Sequence, residues 1–436
     1  MSVVTNPLVK IDVVIGENTR QILSETTLTL PVPAIKIRDI VVRVQDLDTQ
    51  VIENKVIVQG VLHKQIFFVG TDNVVRHIAE DVPFSTFLDV PGALPGMDVQ
   101  VHPTIEAVIP ILLNPTTLLQ KIVLEIFIKV TEKRQINIAL GDGPLVRVNE
   151  VVGEGTVQTL EETVVTLDCP AIKVDAIDAT VRDITFELID DKVIIQGIIH
   201  KQIFFICEDN IEHHQAEDVP FSVFVDIPGA TAGMDVQVHP TVEFVAFTLE
   251  TPTTLRQKVV LEIFVKVTER VQLQVALGTG PLVKIEAVRG ENTQQFLSET
   301  IVTLPVPAIK VREIDARIEN ITTEILEDKV IIQGTIHKQI YFIDTNNVER
   351  EFTELVPFST FIDVPGAEEG FNVEVVARIE FVGFNLLNEV ELEQKVVVEL
   401  FVKVTETVQI LVEEVQVGPY VPPYIPPYVP NNTSIF

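Results

Sequence analysis

The chain copies itself with a fixed step. His63-Lys64-Gln65-Ile66-Phe67-Phe68 returns as His200-Lys201-Gln202-Ile203-Phe204-Phe205 and again as His337-Lys338-Gln339-Ile340-Tyr341-Phe342, 137 residues apart each time. Val82-Pro83-Phe84-Ser85 returns at Val219 and Val356, and Lys129-Val130-Thr131-Glu132 at Lys266 and Lys403, with the same step. Self-similarity at a constant period marks one structural unit repeated in tandem. The register holds until the third copy gains one residue before Gly418-Pro419. The units therefore run 8–144, 145–281 and 282–419, after an N-terminal arm at 1–7 and before a tail at 420–436. Equal spacing in all three copies means that no loop has been lengthened to build a special site, which points to a passive role.

Within a unit the period is two. Ile122, Leu124, Ile126, Ile128 and Val130 alternate with Lys121, Glu125, Lys129 and Thr131. That is a strand with one dry face and one wet face. Further strands are expected at 8–15, 21–30, 35–45, 55–69 (one long strand, or two joined by a bend at Gly60), 74–80, 84–90, 98–112 and 135–140, separated by turns such as Gly70-Thr71-Asp72-Asn73 and Pro91-Gly92. No segment keeps a helical stripe with caps at both ends. The fold class expected is all-β, with three tandem antiparallel β-sandwich-like modules. The stretch from Ile40 to Val130 reads as self-contained, while Leu8–Pro33 either packs on it or connects to the neighbouring unit. The tail differs in kind: Pro419-Tyr420-Val421-Pro422-Pro423-Tyr424-Ile425-Pro426-Pro427-Tyr428 repeats every four residues. Proline at that density removes backbone donors and fixes φ, so an extended arm is expected. It is either a solvated terminus or a contact segment anchored by Tyr420, Tyr424 and Tyr428.

Hydrophobic residues make up 46% of the chain and charged residues 22%, which suits folded domains. The formal net charge of −31 argues against nucleic acid and anionic membrane as partners. It keeps an apolar, strand-rich protein in solution. Divalent cation binding is the alternative use for the acid, with Asp46-Leu47-Asp48 as a weak calcium motif. Cys169 and Cys207 fall in the middle unit only; Val32 and Val306, and Gly70 and Asp344, hold the equivalent places. A disulfide is thus no part of the common plan, and the two read as an incidental pair of buried or edge thiols. Met1 to Pro7 shows no positive segment followed by an apolar one, so synthesis in a cytoplasm without a signal peptide is expected.

Catalytic constellations are missing from the pattern. Gly141-Asp142-Gly143 and Gly278-Thr279-Gly280 are followed by Pro144 and Pro281, and read as inter-unit turns. His63, His200 and His337 recur in every unit, flanked by Lys and Gln, with no second repeated His or Cys to complete a metal site. They read as structural residues bonding across the sheet. His102 and His239 meet Val376 in the third unit, and His213-His214 reads as a solvated turn. Glu125 and Glu132 and their copies share a strand with Lys129, which cross-strand charge pairing explains. No catalytic, cofactor-binding or metal-binding residue is expected.

Three strings together carry a family likeness: Val-Ile-x-Gln-Gly-x-x-His-Lys-Gln-Ile-Phe-Phe, Glu-Asp-Val-Pro-Phe-Ser-x-Phe-x-Asp-x-Pro-Gly-Ala, and Gln-Lys-x-Val-x-Glu-x-Phe-x-Lys-Val-Thr-Glu. Each unit resembles the SPOCS domain of spore-forming Firmicutes, known from a clostridial spore-coat morphogenetic protein. That protein looks like tandem SPOCS domains followed by a LysM domain; here a Pro/Tyr arm stands in its place. The resemblance implies a non-catalytic, self-assembling protein of the endospore envelope (coat, exosporium or surface appendage), made in the mother cell and ending on the spore. Sandwich modules present edge strands that can accept a strand from a neighbour, and head-to-tail contacts that do not close give a filament, so a homo-oligomer or filament is expected, with other spore-coat proteins as further partners; the alternative is a scaffold that recruits a coat or cortex component. The shape expected is a three-module rod with its two arms at opposite ends.

Overall fold

A computed structural model describes residues 6–415, and Tyr420, Tyr424 and Tyr428 lie outside them. Unit 1 contains β1 (Leu8–Thr29), β2 (Ala34–Ile52), β3 (Lys55–Gly70), β4 (Val75–Asp89), β5 (Asp98–Asn114) and β6 (Thr117–Asn137). Unit 2 repeats them as β7 (Leu140–Thr166), β8 (Ala171–Ile189), β9 (Lys192–Cys207), β10 (Glu212–Asp226), β11 (Asp235–Thr251) and β12 (Thr254–Val275). Unit 3 is β13 (Leu277–Thr303), β14 (Ala308–Leu326), β15 (Lys329–Asp344), β16 (Glu349–Asp363), β17 (Asn372–Leu386) and β18 (Glu391–Val412). All pairings are antiparallel.

Each unit is a two-layer sandwich. In unit 1 the sheet β2–β3–β4 packs on the sheet β5–β6–β1. The inward residues Val56, Val58, Leu62, Ile66 and Phe68 of β3 meet Leu118, Ile122, Leu124, Ile126 and Ile128 of β6, all fully buried. β3 runs as one strand through Gly60, which keeps its inward parity. The missing side chain of Gly60 makes room for the ring of Phe84, and Gly197 and Gly334 do the same for Phe221 and Phe358.

Strands that the turn signals divide turn out continuous. β1 passes Gly16 through a bulge between Val14 and Gly16 instead of a turn. β4 passes Pro83 because it is an edge strand of its three-stranded sheet, where a missing N–H costs no ladder bond. Asp46 sits in a bulge of β2 with φ 50°, as do Asp183 (φ 52°) and Asn320 (φ 55°), so this acidic spot is backbone geometry repeated three times. Cys169 and Cys207 are joined by a disulfide across 38 residues, so the thiol reading is corrected. They lie against the second apolar cluster of unit 2, where two converging segments bring them together. His213 and His214 are in β10, not in a turn.

A polar belt cuts each sandwich core in two. Four strands place one inward polar residue at the same level: Thr26 of β1, Lys64 of β3, Glu80 of β4 and Gln120 of β6. Above and below them the apolar clusters around Leu62 and Ile122, and around Ile66 and Leu118, are separate. Lys64 Nζ, with no exposed surface, donates to Thr26 Oγ1 at 2.6 Å and to Glu80 Oε2 at 3.1 Å, and Gln120 Nε2 donates to the same Oε2 at 2.7 Å. Lys201, Thr163, Glu217 and Gln257 repeat this in unit 2, and Lys338, Thr300, Glu354 and Gln394 in unit 3. A buried ion pair adds little net stability, but only one register of the two sheets brings its members together.

Removing one partner strands the other charge. Glu80→Ala is expected to destabilise unit 1 by about 3–5 kcal/mol, and Lys64→Met with Glu80→Leu to recover most of it. Urea unfolding of the full chain reads both; equal stability of Glu80→Ala and the parent would refute the role given to the belt.

Candidate functional site: the hub joining the three units

The three units do not form a rod. The inner ends of β1, β7 and β13, with their partners β6, β12 and β18, converge on one pseudo-threefold axis and fuse three sheets into one of nine strands. Lys10 pairs with Asn149, Arg147 with Glu286, and Lys284 with Asp12. These are one contact used three times, from unit 1 to 2, 2 to 3 and 3 back to 1. A head-to-tail contact repeated in this way closes into a ring. The expectation of a rod missed this because a tandem repeat alone carries no information about the angle between neighbours.

A backbone circuit sits at the hub. Ala139 N donates to Glu413 O at 2.9 Å, Glu413 N to Ala276 O at 3.0 Å, and Ala276 N to Ala139 O at 2.8 Å. Val9, Ile11, Val13, Ile136, Ile138, Val146, Val148, Val275, Val283, Ile285 and Val412 pack into one buried cluster around it, with members from all three units. The glycine pairs are extended here, which corrects their reading as turns. A Cβ on Gly143 would collide with the carbonyl oxygen of Val275, and one on Gly280 with that of Val412. Both ends of the described chain meet at the same place: Ile138 N donates to Pro7 O at 3.1 Å, and Val415 N to Asn137 O at 2.8 Å. The two ends of the described chain therefore lie side by side, not at opposite ends.

Outside that circuit runs a ring of side chains. Gln135 donates to Glu154 at 2.6 Å, Gln272 to Glu291 at 3.0 Å and Gln409 to Glu17 at 2.6 Å, each bond crossing to the next unit. The same glutamates face Lys266, Lys403 and Lys129 across their ladders. This is the cross-strand charge pairing expected of Lys129, and Glu17 of β1 is its partner. Burial works to raise the Glu17 and Glu154 carboxyls. The crossing amides and the lysines outweigh it and hold both below the ordinary carboxylate range.

On the other side of the hub opens a cavity of about 600 Å³. Lys10-Ile11-Asp12, Arg147-Val148-Asn149 and Lys284-Ile285-Glu286 line it as three equivalent triplets, joined by Lys133, Arg270 and Thr407 from the second strand of each ribbon.

The recurrent histidines are not among the residues of the hub cluster or its cavity. His63 Nδ1 is 2.6 Å from Asp81 Oδ1 and His200 Nδ1 2.6 Å from Asp218 Oδ1, pairs that span adjacent strands. Leu355 replaces the acid in unit 3, and His337 turns to Glu319 at 3.1 Å. His102 and His239 stack on Phe127 and Phe264. Among the described residues, one group brings three residues of metal-ligating type within reach of one another, Cys169, Cys207 and His213, and its sulfurs are bonded to each other. The buried Lys64, Lys201 and Lys338 escaped the sequence reading, although their parity marks them. Lys64 stands two residues from both Leu62 and Ile66, on the inward side.

The SipL, SPOCS domain family matches residues 33–109, 170–250 and 307–387, more than half of the chain. The chain belongs to the SPOCS domain family. No curated protein and no solved structure matches it. The family suggests a spore-associated role. Each SPOCS match spans the three-stranded sheet and reaches into or just past β5, β11 or β17; the ribbons that make the hub lie outside it.

A carboxyl depressed by folding contributes stability that is fully present above its unfolded value, about pH 4.3, and is lost as pH falls through its lower folded value. Thermal melting between pH 6 and pH 3 is therefore expected to show acid weakening of the parent that is smaller in Glu17→Gln with Glu154→Gln. An identical pH profile in the variant would rule out the hub carboxyls as its source.

Proposed function

We propose that this chain is a non-catalytic, self-associating structural protein of the bacterial endospore envelope, in the coat, the exosporium or a surface appendage. Membership in the SPOCS domain family supports the spore setting. The single observation that carries the structural reading is the closed ring, which turns three copies of one unit outward as equivalent faces.

Those faces carry exposed apolar rows. Leu160, Val260 and Phe244 lie side by side across β7, β12 and β11, and Leu297, Val397 and Phe381 across β13, β18 and β17; Leu23, Val123 and Ala107 are the first-unit equivalents. Leu160, Leu297, Phe244 and Phe381 are each more than half exposed. Exposed apolar surface beside free sheet edges favours association, and the edges β5, β11 and β17 can accept a strand. A second copy of the chain is the partner we assign, because the same row recurs in successive units. Contacts radiating from three faces suit a sheet or a branched lattice as well as a filament.

Electron microscopy of the purified recombinant protein, across calcium and pH conditions, tests this. Ordered assemblies are expected, and exchange of Leu160, Phe244, Leu297 and Phe381 for Ser is expected to abolish them while the far-ultraviolet circular dichroism stays that of the parent. Monodisperse single particles under every condition would contradict the proposal, and a soluble chain that instead captures one distinct coat protein or cortex glycan would favour a scaffold.

A further inference from the structure

The cavity on the pseudo-threefold axis is cationic in a chain with 32 basic and 63 acidic residues. Two of its symmetry-related sets hold five cations, Lys10, Arg147 and Lys284 in one and Lys133 and Arg270 in the other, with Thr407 as the exception, against three lining carboxylates, Asp12, Asp235 and Glu286. Three of these cations are already matched. Arg147 is bound to Glu286 at 2.6 Å and to Glu374, Lys133 to Asp98, and Arg270 to Asp235 at 3.4 Å. Lys10 and Lys284 come from different units and have no carboxylate within ion-pair distance among the described residues. Lys10 Nζ donates only to the neutral amide of Gln237, at 2.9 Å. Burial first, then the neighbouring Lys266 and Lys133, lower its proton affinity, and the attraction of Asp12 does not offset them. Beneath the cations Ile11, Val148 and Ile285 form a buried apolar floor.

We propose that this axial cavity binds a small multivalent oxyanion, with Lys10 and Lys284 as its principal contacts. Two ammonium groups without an ion-pair partner, contributed by different units, suit a ligand with at least two negative oxygens; a monovalent anion satisfies only one of them. The cavity volume accommodates a compact polycarboxylate or a condensed phosphate. Because the lysines belong to units 1 and 3, the bound anion ties the first unit to the last, at the one contact in the ring where unit meets unit without a direct covalent link.

Isothermal titration of the full chain with citrate and with pyrophosphate, and acetate as the monovalent control, is the test. Binding of citrate, pyrophosphate or both is expected, absent with acetate, and weakened about tenfold or more by Lys10→Gln or Lys284→Gln but unchanged by Lys36→Gln, an exposed lysine away from the hub. The relative affinity of the two probes tells a polycarboxylate from a phosphate ligand. A footprint on the parent chain removes any dependence on variant folding: the bound probe should protect Lys10 and Lys284 from acetylation and leave Lys36 reactive. No binding of either probe, binding that survives in the double variant, or protection spread evenly over surface lysines would overturn the proposal.

Discussion

Closure of the ring is the constraint on which the rest of the structure depends. A β-ribbon such as β1–β6 ends in unpaired backbone groups that must find partners. Three ribbons meeting head to tail pair one another's ends, and the circuit through Ala139, Glu413 and Ala276 leaves none of these three residues' N–H groups without an acceptor. Had the units been separate chains, this contact would carry the entropic cost of association. In one chain the first two contacts are nearly intramolecular neighbours, and the third is favoured by a high effective concentration. The glycines of the linkers follow from the same constraint, because chain crosses chain so closely at the axis that a methyl group does not fit.

The polar belts act at a second level, inside the units. Strand alternation alone permits the two sheets of a sandwich to slide by two residues without exposing an apolar side chain. A lysine, a glutamate, a glutamine and a threonine that must meet at one level forbid that slide. The belts are the same in all three units, whereas other positions vary: the disulfide occurs once, the histidine changes its acid partner in unit 3, and Ala107 stands where units 2 and 3 have Phe244 and Phe381.

Much of this was legible in the sequence. The 137-residue step defines three units, and the alternation from Ile122 to Val130 defines a strand with one buried face, as β6 has. The sandwich follows from strands without helices between them. Strand ends were less legible, since Gly16 and Pro83 carry turn chemistry but sit at a bulge and on an edge strand. The ring was hidden for a deeper reason. Its specific contacts join residues as distant as Glu17 and Gln409, and a repeat pattern registers what is common to the units, not how one copy meets the next. The belt lysines were hidden only by habit, because a charged residue in a strand is usually assigned to the wet face and Lys64 is on the dry one.

The shape of the ring is open to direct measurement. Spin labels at Leu23, Leu160 and Leu297, equivalent exposed positions, can be introduced in pairs into a cysteine-free variant. Electron–electron dipolar spectroscopy should return one common distance for all three pairs. Two equal distances with the Leu23–Leu297 pair about twice as far apart, as a linear array demands, would contradict the closed ring.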